Sequence, residues 1–119
     1  MRKGARVSLR VAAAAADRDA AIASWLQTLP AETRTGRRIV MAEGLLFDRE
    51  GPEGVPLSAL AAGCPCCAGL LALRVLLARA LRKHRPAALL LLPVGDGHLP
   101  RLRQMLAGGE LGVCFEVDC

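Results

Sequence analysis

The chain has 119 residues, of which 53% are hydrophobic and 3% are aromatic, and its formal net charge at pH 7 is +5. This length suits one compact domain, and the high apolar content excludes intrinsic disorder. No apolar run approaches the roughly 18 residues that a membrane-spanning helix needs. The aromatic residues Trp25, Phe47 and Phe115 stand apart from the basic clusters, so base stacking is not supported. We expect a single domain over residues 1–119 with no membrane and no nucleic-acid partner.

The cysteines indicate a reducing compartment. There are five of them, an odd number, and the adjacent Cys66 and Cys67 are poorly placed to pair with each other. Reduced thiols are typical of the cytoplasm. The N-terminus has the basic and small residues of a secretory signal, but Arg10 interrupts its apolar part, and a signal needs about 7 to 15 uninterrupted apolar residues. The sequence therefore predicts a cytoplasmic protein.

The first half of the chain predicts two strands and one helix. Residues 5–11 alternate apolar and polar residues, which is typical of a strand. The segment DRDAAIASWLQTLP predicts a helix with Asp17 as its N-cap and a proline at its end. Residues 36–44, GRRIVMAEG, predict a second strand with Glu43 near its end. Residues 44–63 are rich in glycine and proline and indicate an ordered loop.

The second half predicts two helices and two strands. From Ala68 to Lys83, leucines recur at helical spacing and arginines gather on the opposite side, which indicates an amphipathic helix. PAALLLLPV is typical of a strand that is covered on both faces. HLPRLRQMLAGG predicts a short helix and GVCFEVD a last strand. Alternating strands and helices predict an α/β fold of three layers, with a mostly parallel sheet and helices on both faces.

Three cysteines fall within four positions, as Cys64, Cys66 and Cys67, directly ahead of the amphipathic helix. Thiolates bind soft or borderline metal ions, and the Cys-x-Cys spacing lets two sulfurs reach one ion. A helix N-terminus favours the thiolate form, and Pro65 stiffens the loop. Zinc takes four ligands, and copper(I) takes two or three. Cysteine is also a small apolar residue that packs beneath helices, so a purely structural role is the alternative.

Other candidate ligands are His98, Cys114 and Cys119. His98 follows a Gly-Asp-Gly turn at the carboxyl end of a predicted strand, where open α/β sheets bind ligands; it is either a ligand or a helix cap. Cys114 suits a core position in the last strand, and Cys119 is a free thiol or an extra ligand. No Ser-His-Asp or Cys-His arrangement indicates a nucleophilic catalyst, so no enzymatic activity is predicted.

The segment GCPCC, residues 63–67, resembles the Gly-Cys-x-Cys-Cys motif that opens a helix in CobW-type GTPases, a metal-chaperone branch of the P-loop GTPases. GRRIVMAEG, RPAALLLL and FEVDC are similar to three further segments of that family. The resemblance covers nearly the whole chain and implies a P-loop GTPase-like domain. It also implies metal ligation by Cys64, Cys66, Cys67 and Glu43; a single site would use Cys66 with one other cysteine, Glu43 and water.

The family's nucleotide site is not kept. Its Walker A loop, G-x-x-x-x-G-K-[ST], aligns with residues 12–19, AAAAADRD. Ala12 and Asp17 replace the glycines, Arg18 replaces the lysine, and Asp19 replaces the hydroxyl that binds magnesium. The two carboxylates put negative charge where a polyphosphate would sit. The chain also stops before the segment in which the family reads the guanine base. We therefore expect no nucleotide binding and no GTP hydrolysis.

Together these features predict a truncated CobW-like domain that binds zinc or copper(I) and has lost nucleotide chemistry. Its expected partners are the metal ion and either a metal-recipient protein or a second copy of the chain. Two alternatives remain open. One is a structural or interaction module without metal, and the other is a residual GTP-binding protein.

Overall fold

The computed structural model describes residues 5–45, 47–60, 68–95, 97, 99–108 and 113–115. Its strands are β1 (Arg6–Leu9), β2 (Arg38–Glu43), β3 (Arg49–Glu50), β4 (Pro56–Leu60), β5 (Ala88–Leu92) and β6 (Cys114–Phe115). Its helices are α1 (Ala15–Thr28), α2 (Ala31–Arg34), α3 (Ala68–His84) and α4 (Leu99–Ala107), and Pro52–Gly54 forms a single 3₁₀ turn. These ranges confirm every strand and helix that the sequence predicts and add α2, β3, β4 and the turn.

The strands form one sheet in the order β3-β4-β2-β5-β1-β6. β3 is antiparallel to β4, and all the other neighbouring pairs are parallel. At the centre of the sheet, Leu90 of β5 has Ser8 of β1 as its Cα partner on one side and Val40 of β2 on the other. The parallel strands therefore all end along one edge, the carboxyl edge, and all begin along the opposite one, the amino edge.

Helices cover both faces of this sheet. On one face Trp25 of α1 is buried in a cluster with Val40 and Leu90. On the other face Leu77 of α3 and Leu102 of α4 pack in a second cluster that includes alternate residues of the same strands. All five residues of β5 are buried, because both faces of that strand are covered. The predicted three-layer α/β architecture is confirmed. None of the helices described is long and apolar enough to cross a membrane.

The prediction of a loop over residues 44–63 is wrong for its described part, because β3, the 3₁₀ turn and β4 lie there. β4 pairs in parallel with β2, and its Leu57 is buried. Pro56 is tolerated because it is the first residue of the strand, where its missing N–H costs least. A Cβ atom on Gly51 would clash with Leu57 Cδ1, so the glycine ahead of β4 leaves room for Leu57 to pack. Pairing with β2 thus outweighs a composition typical of loops.

The start of α1 also differs from the prediction. The helix begins at Ala15, its N-cap residue is Ala14, and no side chain caps it. Asp17 therefore lies in the first helical turn, and the prediction that it is the N-cap is wrong. Alanine is the best helix former, so the alanine run joins the helix. The Asp17 carboxylate is still favourably placed for the helix dipole.

Candidate functional site

Glu43, the predicted acidic ligand, is the last residue of β2 and lies half-buried at the carboxyl edge. Its Oε1 atom accepts a hydrogen bond from the backbone N–H of Val94, over 2.9 Å. Val94 follows the end of β5 by two residues, so the Glu43 side chain links the ends of two neighbouring strands. A carboxylate has about four acceptor positions, and this bond occupies one of them. Glu43 therefore keeps capacity to ligate a cation.

Five predicted or candidate ligands lie outside the described residues: Cys64, Cys66, Cys67, His98 and Cys119. The structure does describe the residues on either side of the cysteine segment. Leu60 ends β4 and is the Cα partner of Glu43, and Ala68 begins α3. Residues 61–67 therefore start from the strand end directly beside Glu43. The prediction that the motif opens a helix falls on residues outside the described part, and the first described residue after the motif, Ala68, lies in α3.

Cys114 is not brought to this edge. It begins β6, and its Cα partner is Arg6, the first residue of β1. Its backbone thus lies at the amino edge, whereas Glu43 lies at the carboxyl edge and three strands away in the sheet order. Among the described residues, no group of three or more His, Cys, Asp or Glu side chains is arranged to hold a metal ion.

Arg18 is a candidate functional residue that the sequence analysis did not predict as part of the site. It lies in α1, is only 9% exposed, and its Nε atom has no hydrogen-bond partner in the described part of the chain. A buried N–H donor without a partner is costly, which favours an acceptor group beside Nε. One signal was available in the sequence. Arg18 precedes the buried Ile22 and Trp25 by four and seven residues, so all three share one face of the helix.

Gly44 directly follows Glu43 in the chain and lies close to the Arg18 side chain. Its φ is +93°, in the left-handed region that L side chains rarely adopt. A Cβ atom there would lie 3.4 Å from both Arg18 Nη1 and Val94 Cγ1. The guanidinium group of Arg18 therefore lies next to the carboxyl ends of β2 and β5, close to the Glu43 backbone.

The same edge contains the point at which the chain connections diverge. From β1 the chain passes through α1 to β2, and from β5 it passes through α4 to β6, so the two connections run in opposite directions along the sheet. Open α/β sheets bind ligands in the crevice at such a point. β1 and β5 stay together beyond their ends, because Ala12 N–H donates to the Pro93 carbonyl over 3.0 Å. The crevice therefore opens beside the first turn of α1.

Three exposed apolar side chains lie in segments that follow strands at this edge. Phe47 is 67% exposed, and Val11 and Val94 are also exposed. They lie in the segments that follow β2, β1 and β5, respectively. Of the three, Phe47 has the largest exposed fraction.

Comparison with known proteins adds no relative. No protein-family model, no curated protein and no solved structure matches this chain. The resemblance to CobW-type GTPases therefore stays a prediction from the motifs.

Proposed function

We propose that the protein binds a thiophilic metal ion, zinc or copper(I), at the carboxyl edge of its sheet through Cys64, Cys66, Cys67 and Glu43. The observation that carries the proposal is the parallel pairing of Leu60 with Glu43. Because of it, the chain that contains the three thiols departs from the strand end beside a carboxylate with spare acceptor positions. In a single site, Cys66 and one other cysteine ligate the ion together with Glu43 and water.

The donor set favours these two metals over hard ions. Thiolates are soft ligands that select zinc and copper(I), whereas magnesium and calcium require oxygen donors. A bound metal would hold the cysteine segment against β2, so binding energy would also stabilise the fold. The protein's role would then be to store or transfer the ion, as the resemblance to the metal-chaperone GTPases implies.

A competition titration tests the proposal. The protein is titrated with zinc, and separately with copper(I), against a chelator of known affinity. We expect Cys66→Ser to lower metal affinity by about 100-fold or more, because it removes a thiolate ligand, and Cys67→Ser to do the same if Cys67 rather than Cys64 is the second cysteine of the site. Cys114→Ser is the matched control and should leave affinity unchanged. Equal affinity in all four proteins would contradict the proposal.

A second candidate function is an interaction module that binds another protein and uses the cysteines only for packing. The exposed Phe47, Val11 and Val94 at the carboxyl edge favour it. A Phe47→Ser variant should then lose self-association, measured by light scattering across a concentration series. A protein that stays monomeric at all concentrations would argue against this second candidate as a homodimer.

We also propose which kind of α/β fold this is. The order of the motifs supports a degenerate P-loop GTPase-like domain, and the buried Arg18 favours residual binding of a nucleotide phosphate. Asp17 in the first turn of α1 opposes it, since its carboxylate would repel a polyphosphate. We expect no GTP binding at millimolar concentration, with or without magnesium. Saturable binding that disappears in Arg18→Met would instead establish the residual GTP-binding alternative.

A further inference from the structure

A cavity of about 350 Å³ lies at the amino edge of the sheet, at the opposite end of β2 from Glu43. Arg38 at the start of β2 and Pro56 at the start of β4 line it on two sides. Arg37 and His84, the last residue of α3, line the rest together with glycine backbone. This volume lies in the range typical of small-molecule sites. Two arginines, Arg37 and Arg38, line the cavity.

Arg38 is the better buried of the two arginines, with 19% of its side chain exposed. Its ion pair with Glu53 is long, at 3.9 Å from Nη1 to Oε1, and the Glu53 side chain is 65% exposed. A pair of this length with one exposed partner contributes little to stability, so an incoming anion can displace the Glu53 carboxylate. A guanidinium group has five N–H donors, and this contact involves one nitrogen.

Arg37 is fixed at the cavity wall by its neighbours. Its Nη1 atom donates to the backbone carbonyl of His84 over 3.2 Å. Its own backbone carbonyl accepts hydrogen bonds from the N–H groups of Ala87 and Ala88, over 2.7 and 3.3 Å. The Nη1 bond orients the Arg37 guanidinium, and the backbone bonds hold its main chain. The other N–H groups of the guanidinium can bind a ligand, and this orientation lowers the entropy cost of binding.

We propose that this cavity binds a small organic oxyanion, a carboxylate or a phosphate, and that Arg37 and Arg38 are its recognition groups. Arginine matches both anions because its planar fork gives two parallel hydrogen bonds to two oxygens. The site is separate from the metal site, since the two lie at opposite edges of the sheet. Its ligand therefore does not depend on whether the cysteines hold a metal.

The test is a titration of the full chain with inorganic phosphate, with succinate and, as a neutral control, with glycerol. A metal chelator is present throughout, so that the metal site does not contribute. Binding is followed by the NMR amide signals of Gly36 and Gly54, which line the cavity. We expect saturable shifts with at least one of the two anions and none with glycerol. Added sodium chloride should weaken binding, as expected for an ionic contact near the surface.

Variants then assign the binding to the arginines. Arg38→Gln and Arg37→Gln should each weaken binding by about tenfold, the loss expected for a hydrogen bond to a charged group. Arg101→Gln, on exposed α4 surface, is the matched control and should bind normally. Because Arg37 is exposed, its variant should fold even if the Arg38 variant does not. Absence of saturable shifts, unchanged affinity in Arg37→Gln, or an equal loss in Arg101→Gln would overturn the proposal.

Discussion

Glu43 accepts a hydrogen bond from the backbone N–H of Val94 over 2.9 Å, and this bond joins the end of β2 to the chain that follows β5. The carboxylate thus has one structural contact and spare acceptor positions for a cation. The two roles can be separated because glutamine keeps the acceptor oxygen and loses the charge.

We therefore expect Glu43→Gln to keep the free energy of unfolding within about 0.5 kcal/mol of the wild type, because its amide oxygen can accept the Val94 bond. Glu43→Ala should lose about 0.5–1.5 kcal/mol, the usual worth of one hydrogen bond. Both variants should bind zinc at least about tenfold more weakly, by chelator competition. If Glu43→Gln bound zinc as tightly as the wild type, Glu43 would not be a ligand.

Arg18 should lower the free energy of unfolding of the ligand-free protein. Replacing it with methionine keeps much of the side-chain volume and removes a buried charge with an unpartnered Nε, so the free energy of unfolding should rise by about 1–4 kcal/mol. Urea denaturation in a buffer without multivalent anions measures the change, and Arg101→Met on exposed surface is the control. A less stable Arg18→Met protein would mean that the guanidinium already has a stabilising anionic partner in the chain.

Gly51 should be essential to the packing of β4. A Cβ atom there would clash with Leu57 Cδ1, and Leu57 is buried. Gly51→Ala should therefore lower the free energy of unfolding by about 1–3 kcal/mol, as overpacking does. Gly95→Ala is the matched control, since the space around that position is open. Equal stability of the two variants would show that the Gly51 turn relaxes freely.

Trp25 should report the packing of α1 on the sheet. It is the chain's single tryptophan and is fully buried, so its fluorescence follows unfolding directly. Its Nε1 atom has no hydrogen-bond partner among the described residues. Trp25→Phe removes that unpaired donor and should cost less than about 2 kcal/mol, whereas Trp25→Ala should cost about 3–5 kcal/mol. Circular dichroism measures these two variants, and equal losses would show that the aromatic ring kept in Trp25→Phe contributes nothing to packing.

The sequence predicts those elements whose pattern has a clear period. The leucine spacing of α3 and the apolar run of β5 each have one structural explanation, and both were confirmed. β4 was missed because it is five residues long, begins with proline and gains its order from pairing with β2. Local propensity does not contain such tertiary pairing.

The candidate site was predictable to a smaller extent. The position of Glu43 at a strand end follows from the apolar pattern before it. The burial of Arg18 does not follow from its charge, because charged residues on helices usually face water, and only its spacing from Ile22 and Trp25 indicated otherwise. The cavity between Arg37, Arg38 and His84 joins residues that are far apart in the chain, so no local pattern indicates it.

The most direct test of metal binding is elemental analysis of the protein purified without chelator or affinity metal, alongside Cys66→Ser and Cys114→Ser prepared in the same way. We expect about one zinc or copper ion per chain in the wild type and in Cys114→Ser, and almost none in Cys66→Ser. A wild-type protein that holds no metal, and takes up none when zinc or copper(I) is added to its reduced form, would contradict the proposed function.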